Sequence, residues 1–218
     1  MGKLSASILS ADLANLADQV KAVHGHADVI HVDVMDGRVG PWLTIGPVVV
    51  ASLRRHTDRI LHGHLLVDGP ERLFDELAES GVDLVSLHVE AVEDTGPVIA
   101  KARGAGLGIG LAIGPATGAE ALTAHLEEVD DVTVVTGPPA APGPAFLPEV
   151  LPKVEAVRNE IERRGLSADV AVDGGIGLDN ARRCVDAGAN VLVAGAAIFG
   201  ADDPSDAARA LKAIVEAA

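Results

Sequence analysis

Residues 28–37 read DVIHVDVMDG. Val29, Ile30, Val32, Val34 and Met35 form a near-continuous apolar run, the pattern of a parallel strand buried on both faces. Asp36-Gly37 closes the run as a turn. Side chains at i and i+2 leave a strand on the same side, so His31 and Asp33 point together. The segment is thus a core strand that carries an imidazole and a carboxylate near its end.

Outward from it the same design repeats. Strand-like runs lie at about 3–9, 28–35, 59–66, 83–89, 107–113, 131–136, 168–173 and 190–194. Segments with helical spacing lie between and after them, at about 11–24, 46–56, 70–80, 93–105, 118–128, 148–164, 178–188 and 204–217. Strand and helix alternating eight times predict an α/β protein, a (β/α)8 TIM barrel, in preference to an open doubly wound sheet. No linker or composition shift interrupts the pattern, so residues 1–218 are expected to form a single domain. Ser10 before Ala-Asp-Leu is expected to cap the first helix, and Gly69-Pro70 to start the third. Gly81, Gly106 and Gly188 follow helical segments, where a left-handed cap is needed.

Composition narrows the function. The chain has 218 residues, with 48% hydrophobic and 22% charged residues and a net charge of −15. That charge argues against a nucleic-acid or anionic-membrane surface. Trp42, Phe74, Phe146 and Phe199 are the only aromatics besides histidine, so the core must be aliphatic. Cys184 is the sole cysteine, which excludes an internal disulfide and a cysteine metal cluster. No basic-then-apolar leader and no long apolar run occur. The expectation is a cytoplasmic protein.

In a barrel, reactive groups come from the C-terminal ends of strands. His31 and Asp33 on the second strand, His64 at the end of the third and Asp173 at the end of the seventh therefore converge on one mouth. Two imidazoles and two carboxylates suit a divalent ion such as Zn²⁺, Mn²⁺ or Fe²⁺. Two carboxylates from different strands also suit removal and return of a proton beside a carbonyl. Gly174-Gly175 and Gly195-Ala196, at strand ends ahead of helices, offer backbone N–H groups to a phosphate. A lone buried histidine is more often a hydrogen-bonded core residue than a ligand, so joint placement is what lifts these four. His24, His26, His56 and His125 fall on helices or loop ends and are expected to be solvated. His88 ends the fourth strand as a mouth-lining polar residue rather than a ligand. His62 lies one layer below His64 as a structural or supporting residue.

These segments bring a family into view. ASILSAD (6–12), IHVDVMDG (30–37), LTIGP (43–47), HLL (64–66), LHVEA (87–91), VDGG (172–175) and VLVAGAAIFG (191–200) occur in the order and spacing of the ribulose-phosphate 3-epimerase family, which the chain resembles over nearly its whole length. The resemblance implies a metal-dependent barrel that interconverts D-ribulose 5-phosphate and D-xylulose 5-phosphate. It implies one divalent ion, Zn²⁺, Fe²⁺ or Mn²⁺, held by His31, Asp33, His64 and Asp173. The ion would hold the C2 carbonyl and C3 hydroxyl and stabilise a cis-enediolate. Asp33 and Asp173 would alternate as general base and acid. Ser7, Met35, His64, Gly174, Gly175, Gly195 and Ala196 would contact a small-molecule sugar phosphate. A homo-oligomer, dimer or hexamer, is also implied.

The departures from that family lie in the substrate pocket. Its glycine-rich loop after the sixth strand, close to NPGFGGQSF, is here PPAAPGPAF (138–146). Pro138, Pro139, Pro142 and Pro144 cannot donate N–H bonds, and only Gly143 survives. Val135 and Leu66 stand where methionine is usual, Ala196 replaces serine, Trp42 replaces asparagine and His62 replaces aspartate. The chemistry reads as retained and the recognition as rebuilt. The residues leave open the ordinary pentulose phosphate, a different ketose or ketose phosphate, or a catalytically silent barrel. The intact quartet favours a working enzyme.

Overall fold

Each β-rich run pairs in parallel with the next, and the last pairs with the first. The structure, a computed structural model, describes residues 2–39, 42–137 and 146–217. Strands β1 (Lys3–Ser7), β2 (Val29–Met35), β3 (Ile60–Leu66), β4 (Leu84–His88), β5 (Gly108–Ile113), β6 (Asp131–Val135), β7 (Asp169–Asp173) and β8 (Val191–Ala194) close into a barrel in that order. Helices α1 (Leu16–Val23), α2 (Pro47–Arg54), α3 (Phe74–Ser80), α4 (Thr95–Gly104), α5 (Glu120–Thr123), α6 (Leu151–Arg164), α7 (Ala181–Asp186), α8 (Ala196–Phe199) and α9 (Pro204–Glu216) follow the strands. The expected (β/α)8 barrel is the fold observed. Its strand bounds fall within about two residues of the expected ones.

Two layers of side chains hold the barrel. Between strands and helices lies an apolar shell in which Leu61, Phe74, Leu77, Ile109 and Leu111 are wholly buried. The interior is different. Barrel interiors are usually filled by branched aliphatics, but here only β7 and β8 supply an apolar cluster, Ala171, Val191 and Val193. Buried His62, Ser86, Asp131 and Thr133 form a polar chain instead. His62 Nε2 donates to Ser86 Oγ at 2.7 Å, and Ser86 and Thr133 donate to Asp131 Oδ2 at 3.3 and 2.9 Å. The chain crosses β5 because Gly110 has no side chain. A Cβ there would lie 2.3 Å from Ser86 Oγ and 3.1 Å from Asp131 Cβ.

Several local expectations change. Ser10 does not cap α1; Asp12 accepts from the Ala14 N–H at 3.0 Å, and Ser10 ends a short 3-10 turn. A carboxylate two residues before the N–H has the better reach. Pro70 starts a single 3-10 turn, and α3 begins at Phe74. The helix expected over 118–128 is reduced to Glu120–Thr123. Its continuation bonds i to i+3, as in His125 N–H to the Leu122 carbonyl, which tightens the turns. Helix α8 is too short to leave a periodic signal. Gly81, Gly106 and Gly188 take the left-handed caps expected of them.

Burial pushes Asp131 up to about 6 against the donors Thr133 and Ser86. The folded state then binds this proton more tightly than the unfolded chain, so stability falls as pH rises from about 4 to about 6 and stays lower above. Asp131→Asn removes that penalty while keeping an acceptor for both hydroxyls. Urea unfolding should find the variant equal to wild type near pH 4 and more stable at pH 8 by about 1–3 kcal/mol. A difference independent of pH would show that Asp131 does not titrate in this window.

Candidate active site

Parallel register places the reactive side chains. Across β2 and β3, His31 stands beside His62 and Asp33 beside His64, and across β6 and β7 Val135 stands beside Asp173. His31, Asp33, His64 and Asp173 each offer a donor atom within 4.8 Å of the others. His31 Nε2 lies 3.2 Å from His64 Nδ1. Asp33 Oδ1 is 3.4 and 3.3 Å from these nitrogens, and Asp173 Oδ2 is 3.6 and 3.3 Å from them. His31, Asp33 and His64 are buried, and Asp173 is partly exposed at the rim.

The backbone around the carboxylates is clamped. Ser7 Oγ donates to Asp33 Oδ2 at 2.8 Å, leaving Oδ1 to the imidazoles. Thr44, from the LTIGP segment, donates to the Asp33 carbonyl at 2.5 Å and accepts from the Met35 N–H at 2.9 Å. On the other wall the Thr136 N–H bonds the Asp173 carbonyl, and the Thr136 hydroxyl bonds the Gly174 carbonyl. Gly174 sits at φ 125°, and a Cβ would approach Gly137 N to 2.6 Å. Only glycine fits that crossing, which turns the chain away immediately after Asp173.

Electrostatics match this geometry. Burial works against ionisation of Asp33, yet His31 and His64 outweigh it and hold the carboxyl well below its ordinary range. Burial likewise opposes charge on His64, but Asp173 and Asp33 raise it to about 10. Two carboxylates facing two imidazoles at one buried point call for positive charge between them. Two imidazole nitrogens and two carboxylate oxygens aimed at one point are what a divalent cation of the Zn²⁺, Mn²⁺ or Fe²⁺ type requires. The quartet fits such an ion.

A cavity of about 830 Å³ opens above the quartet. Ser7, Met35, His64, Gly174, Gly175, Gly195 and Ala196 all line it. His88 lines it too and lies outside the ligand set. His62 supports from below, its ring edge-on to His31 with centroids 5.0 Å apart. His24 pairs with Asp58 and His125 with Glu128 at the surface. The altered loop at Pro138, Pro139, Pro142, Gly143 and Pro144 lies outside the described residues. Sequence reasoning missed Arg183, the one Lys or Arg among the described cavity-lining residues, whose guanidinium lies 5.8 Å from the Phe146 ring centroid. Its signal was the spacing from Asn180, one helical turn earlier on the mouth-facing side of α7.

Known proteins carry this arrangement further. The ribulose-phosphate 3-epimerase family model matches residues 3–199. The chain belongs to that family. A ribulose-phosphate 3-epimerase of Mycobacterium tuberculosis is 42% identical over 209 residues, covering 96% of this chain and 91% of the relative. The Bacillus subtilis one is 37% identical over 205 residues, covering 93% and 94%. Among solved structures, a 3-hexulose-6-phosphate synthase from Salmonella typhimurium superposes with a TM-score of 0.75 at 20% identity, covering 99% of both chains, a likeness of fold. The family makes the protein an isomerase, an epimerase acting on carbohydrates.

Because His64 is held protonated up to about 10 without a metal, ligation must displace that proton. Metal binding at pH 7 should therefore release about one proton, and affinity should rise as pH rises toward 10. Calorimetry in buffers of different ionisation enthalpy measures the proton directly. Binding without proton release would mean that His64 is already neutral at pH 7 before the metal arrives.

Proposed function

We propose that this protein is a divalent-metal-dependent ketose-phosphate 3-epimerase interconverting D-ribulose 5-phosphate and D-xylulose 5-phosphate, carried by a single domain over residues 1–218. The observation that carries the reading is the meeting of Asp33, from β2, and Asp173, from β7, at one pair of imidazoles. His31, Asp33, His64 and Asp173 hold the ion, Zn²⁺, Fe²⁺ or Mn²⁺ by donor type. When bound, it supplies Lewis acidity that offsets the charge developing on the substrate oxygens as the C3 proton leaves.

The chain's own groups move the proton. Asp33, kept ionised by its imidazole neighbours and held by Ser7, takes the proton from one face of C3. Asp173, approaching from another wall, delivers a proton to the other face, and the two exchange roles in the reverse direction. Met35, Leu66 and Val135 line the cavity beside them and keep water from the reacting carbon. At the far end Gly174, Gly175, Gly195 and Ala196 offer N–H groups to the phosphate, and Arg183 adds the positive charge that a protein of net charge −15 otherwise lacks there.

The remaining assignments follow the same reading. The protein works in the cytoplasm as a homo-oligomer. Exposed Trp42, Leu43, Val48 and Val49, beside the mouth, supply apolar surface for a second copy to cover. Among the described residues no helix is long and apolar enough to cross a membrane.

Exchange of the C3 hydrogen in deuterated water tests the chemistry apart from net turnover. Asp33→Asn and Asp173→Asn should each lose on the order of 10²–10⁴ in rate in both directions. Near-wild-type exchange by Asp173→Asn with metal bound would end the two-carboxylate reading. Arg183→Gln should raise KM for ribulose 5-phosphate about 3–5-fold with kcat nearly unchanged, the scale of a solvent-screened charge pair. An equal effect on unphosphorylated ribulose would take the phosphate away from Arg183.

A further inference from the structure

The LHVEA segment is the one motif that the proposed chemistry leaves unused, and it ends in a continuous line of hydrogen bonds to a metal-ligand candidate. His64 turns Nδ1 toward Asp33, Asp173 and His31, and its other nitrogen, Nε2, lies 3.0 Å from His88 Nε2. The two rings stack with centroids 5.1 Å apart and planes 18° from parallel. His88 Nδ1 in turn lies 3.3 Å from Glu90 Oε2. Glu90 Oε1 accepts from the Gly114 N–H at 2.8 Å and from the Thr117 hydroxyl. Lys153 of α6 pins that same loop through the Gly114 and Pro115 carbonyls at 2.9 and 3.1 Å.

Donor and acceptor bookkeeping allows one assignment for this line in the metal-loaded protein. An ionised carboxylate only accepts, so His88 carries its hydrogen on Nδ1. A neutral His88 then presents a lone pair at Nε2, which needs an N–H opposite. His64 must supply it from Nε2, and its Nδ1 is left as a lone pair facing the centre. The opposite tautomer of His64 would point a hydrogen at the metal position and two lone pairs at each other across 3.0 Å. His31 has no equivalent support, since its buried Nδ1 finds no partner among the described residues.

We propose that Glu90, acting through His88, is the positioning residue that holds His64 as the Nε2–H tautomer with Nδ1 open to a divalent cation. The inference rests on the reading of His64 as a ligand. Outer partners of metal-bound histidines fix ring orientation and tautomer in this manner. Glu90 is suited to it because both its oxygens are occupied, one by the relay and one by the anchored loop. Glutamine keeps the shape but has a single acceptor oxygen, so either His88 or the Gly114–Thr117 loop must lose its partner.

The test is metal affinity of the full-length protein, measured by competition of Zn²⁺ against a chelator. Glu90→Gln should weaken Zn²⁺ binding about 10–100-fold, with the thermal midpoint of the metal-free protein unchanged. His88→Leu should weaken it to a similar degree. Glu90→Gln added to His88→Leu should then cost nothing further, because the line is already cut. Nitrogen NMR of the Zn²⁺-loaded wild type should find the His64 hydrogen on Nε2. Wild-type affinity in Glu90→Gln, or losses that add in the double variant, would overturn the relay. A metal-free thermal midpoint that falls in step with affinity would also overturn it, since that is mere structural support. His64→Ala serves as the separate control: stoichiometric, tight Zn²⁺ binding in that variant would remove the ligand reading on which the relay depends.

Discussion

Two carboxylates brought to one buried point repel each other and resist desolvation, and both costs must be met before anything else in this site can work. Asp33 and Asp173 reach that point from β2 and β7, which only the closure of the barrel brings within range. Positive charge is the remedy. In the metal-free protein the raised proton affinity of His64 provides one unit of it, and a divalent cation would provide two. The clamps on either side follow from the same need. Ser7 and Thr44 fix Asp33, and Thr136 with the side-chain-free Gly174 fixes the backbone at Asp173. Without them, the carboxylates would relieve their repulsion by moving apart and the centre would lose its shape.

That constraint also explains the lopsided interior. A site with this much charge polarises whatever lies beneath it. His62, Ser86, Asp131 and Thr133 run along β3 to β6 as a hydrogen-bonded chain, whereas β7 and β8 fill their half with Ala171, Val191 and Val193. His62 Nε2, the Ser86 and Thr133 hydroxyls and Asp131 Oδ2 are paired within that chain, the condition under which a polar interior is tolerated. Gly110 is its hinge point, since a single methyl group there would separate Ser86 from Asp131. The metal candidate thus stands on a polar floor whose stability depends on pH, while its reactive face is governed by side chains one layer above.

The barrel and the quartet were legible in the sequence because both depend on short-range regularities. Near-continuous apolar runs mark the strands and a period of 3.6 the helices, and strand ends in a barrel share one mouth. His31, Asp33, His64 and Asp173 could be placed together on that basis alone. What could not be read was contact across the barrel. Nothing in the spacing of Ser86 and Asp131 says that they meet over Gly110, because the gap is made by a missing side chain on the strand between them. Likewise, His88 was legible as a residue at the mouth, but its partner Glu90 acquires a role only through Gly114 and Thr117, which arrive from the next loop. Helix boundaries failed for a local reason. At Ser10 a neighbouring carboxylate two positions later competes better for the N–H groups, and propensity alone does not rank such rivals.

Separation of chemistry from recognition is the last consequence of this geometry. His31, Asp33, His64 and Asp173 sit on strands whose register is fixed by backbone pairing. Loops and helix rims around the mouth are places where change costs little in stability. Trp42, half exposed at the mouth, and Arg183, over Phe146, occupy such positions. Among the departures from the family, Trp42 and residues 138–146 lie between strands, His62, Leu66 and Val135 lie on strands β3 and β6, and the quartet is untouched. Such positions can change without altering how far Asp33 lies from Asp173. The cavity walls can therefore drift while the geometry of the quartet is kept.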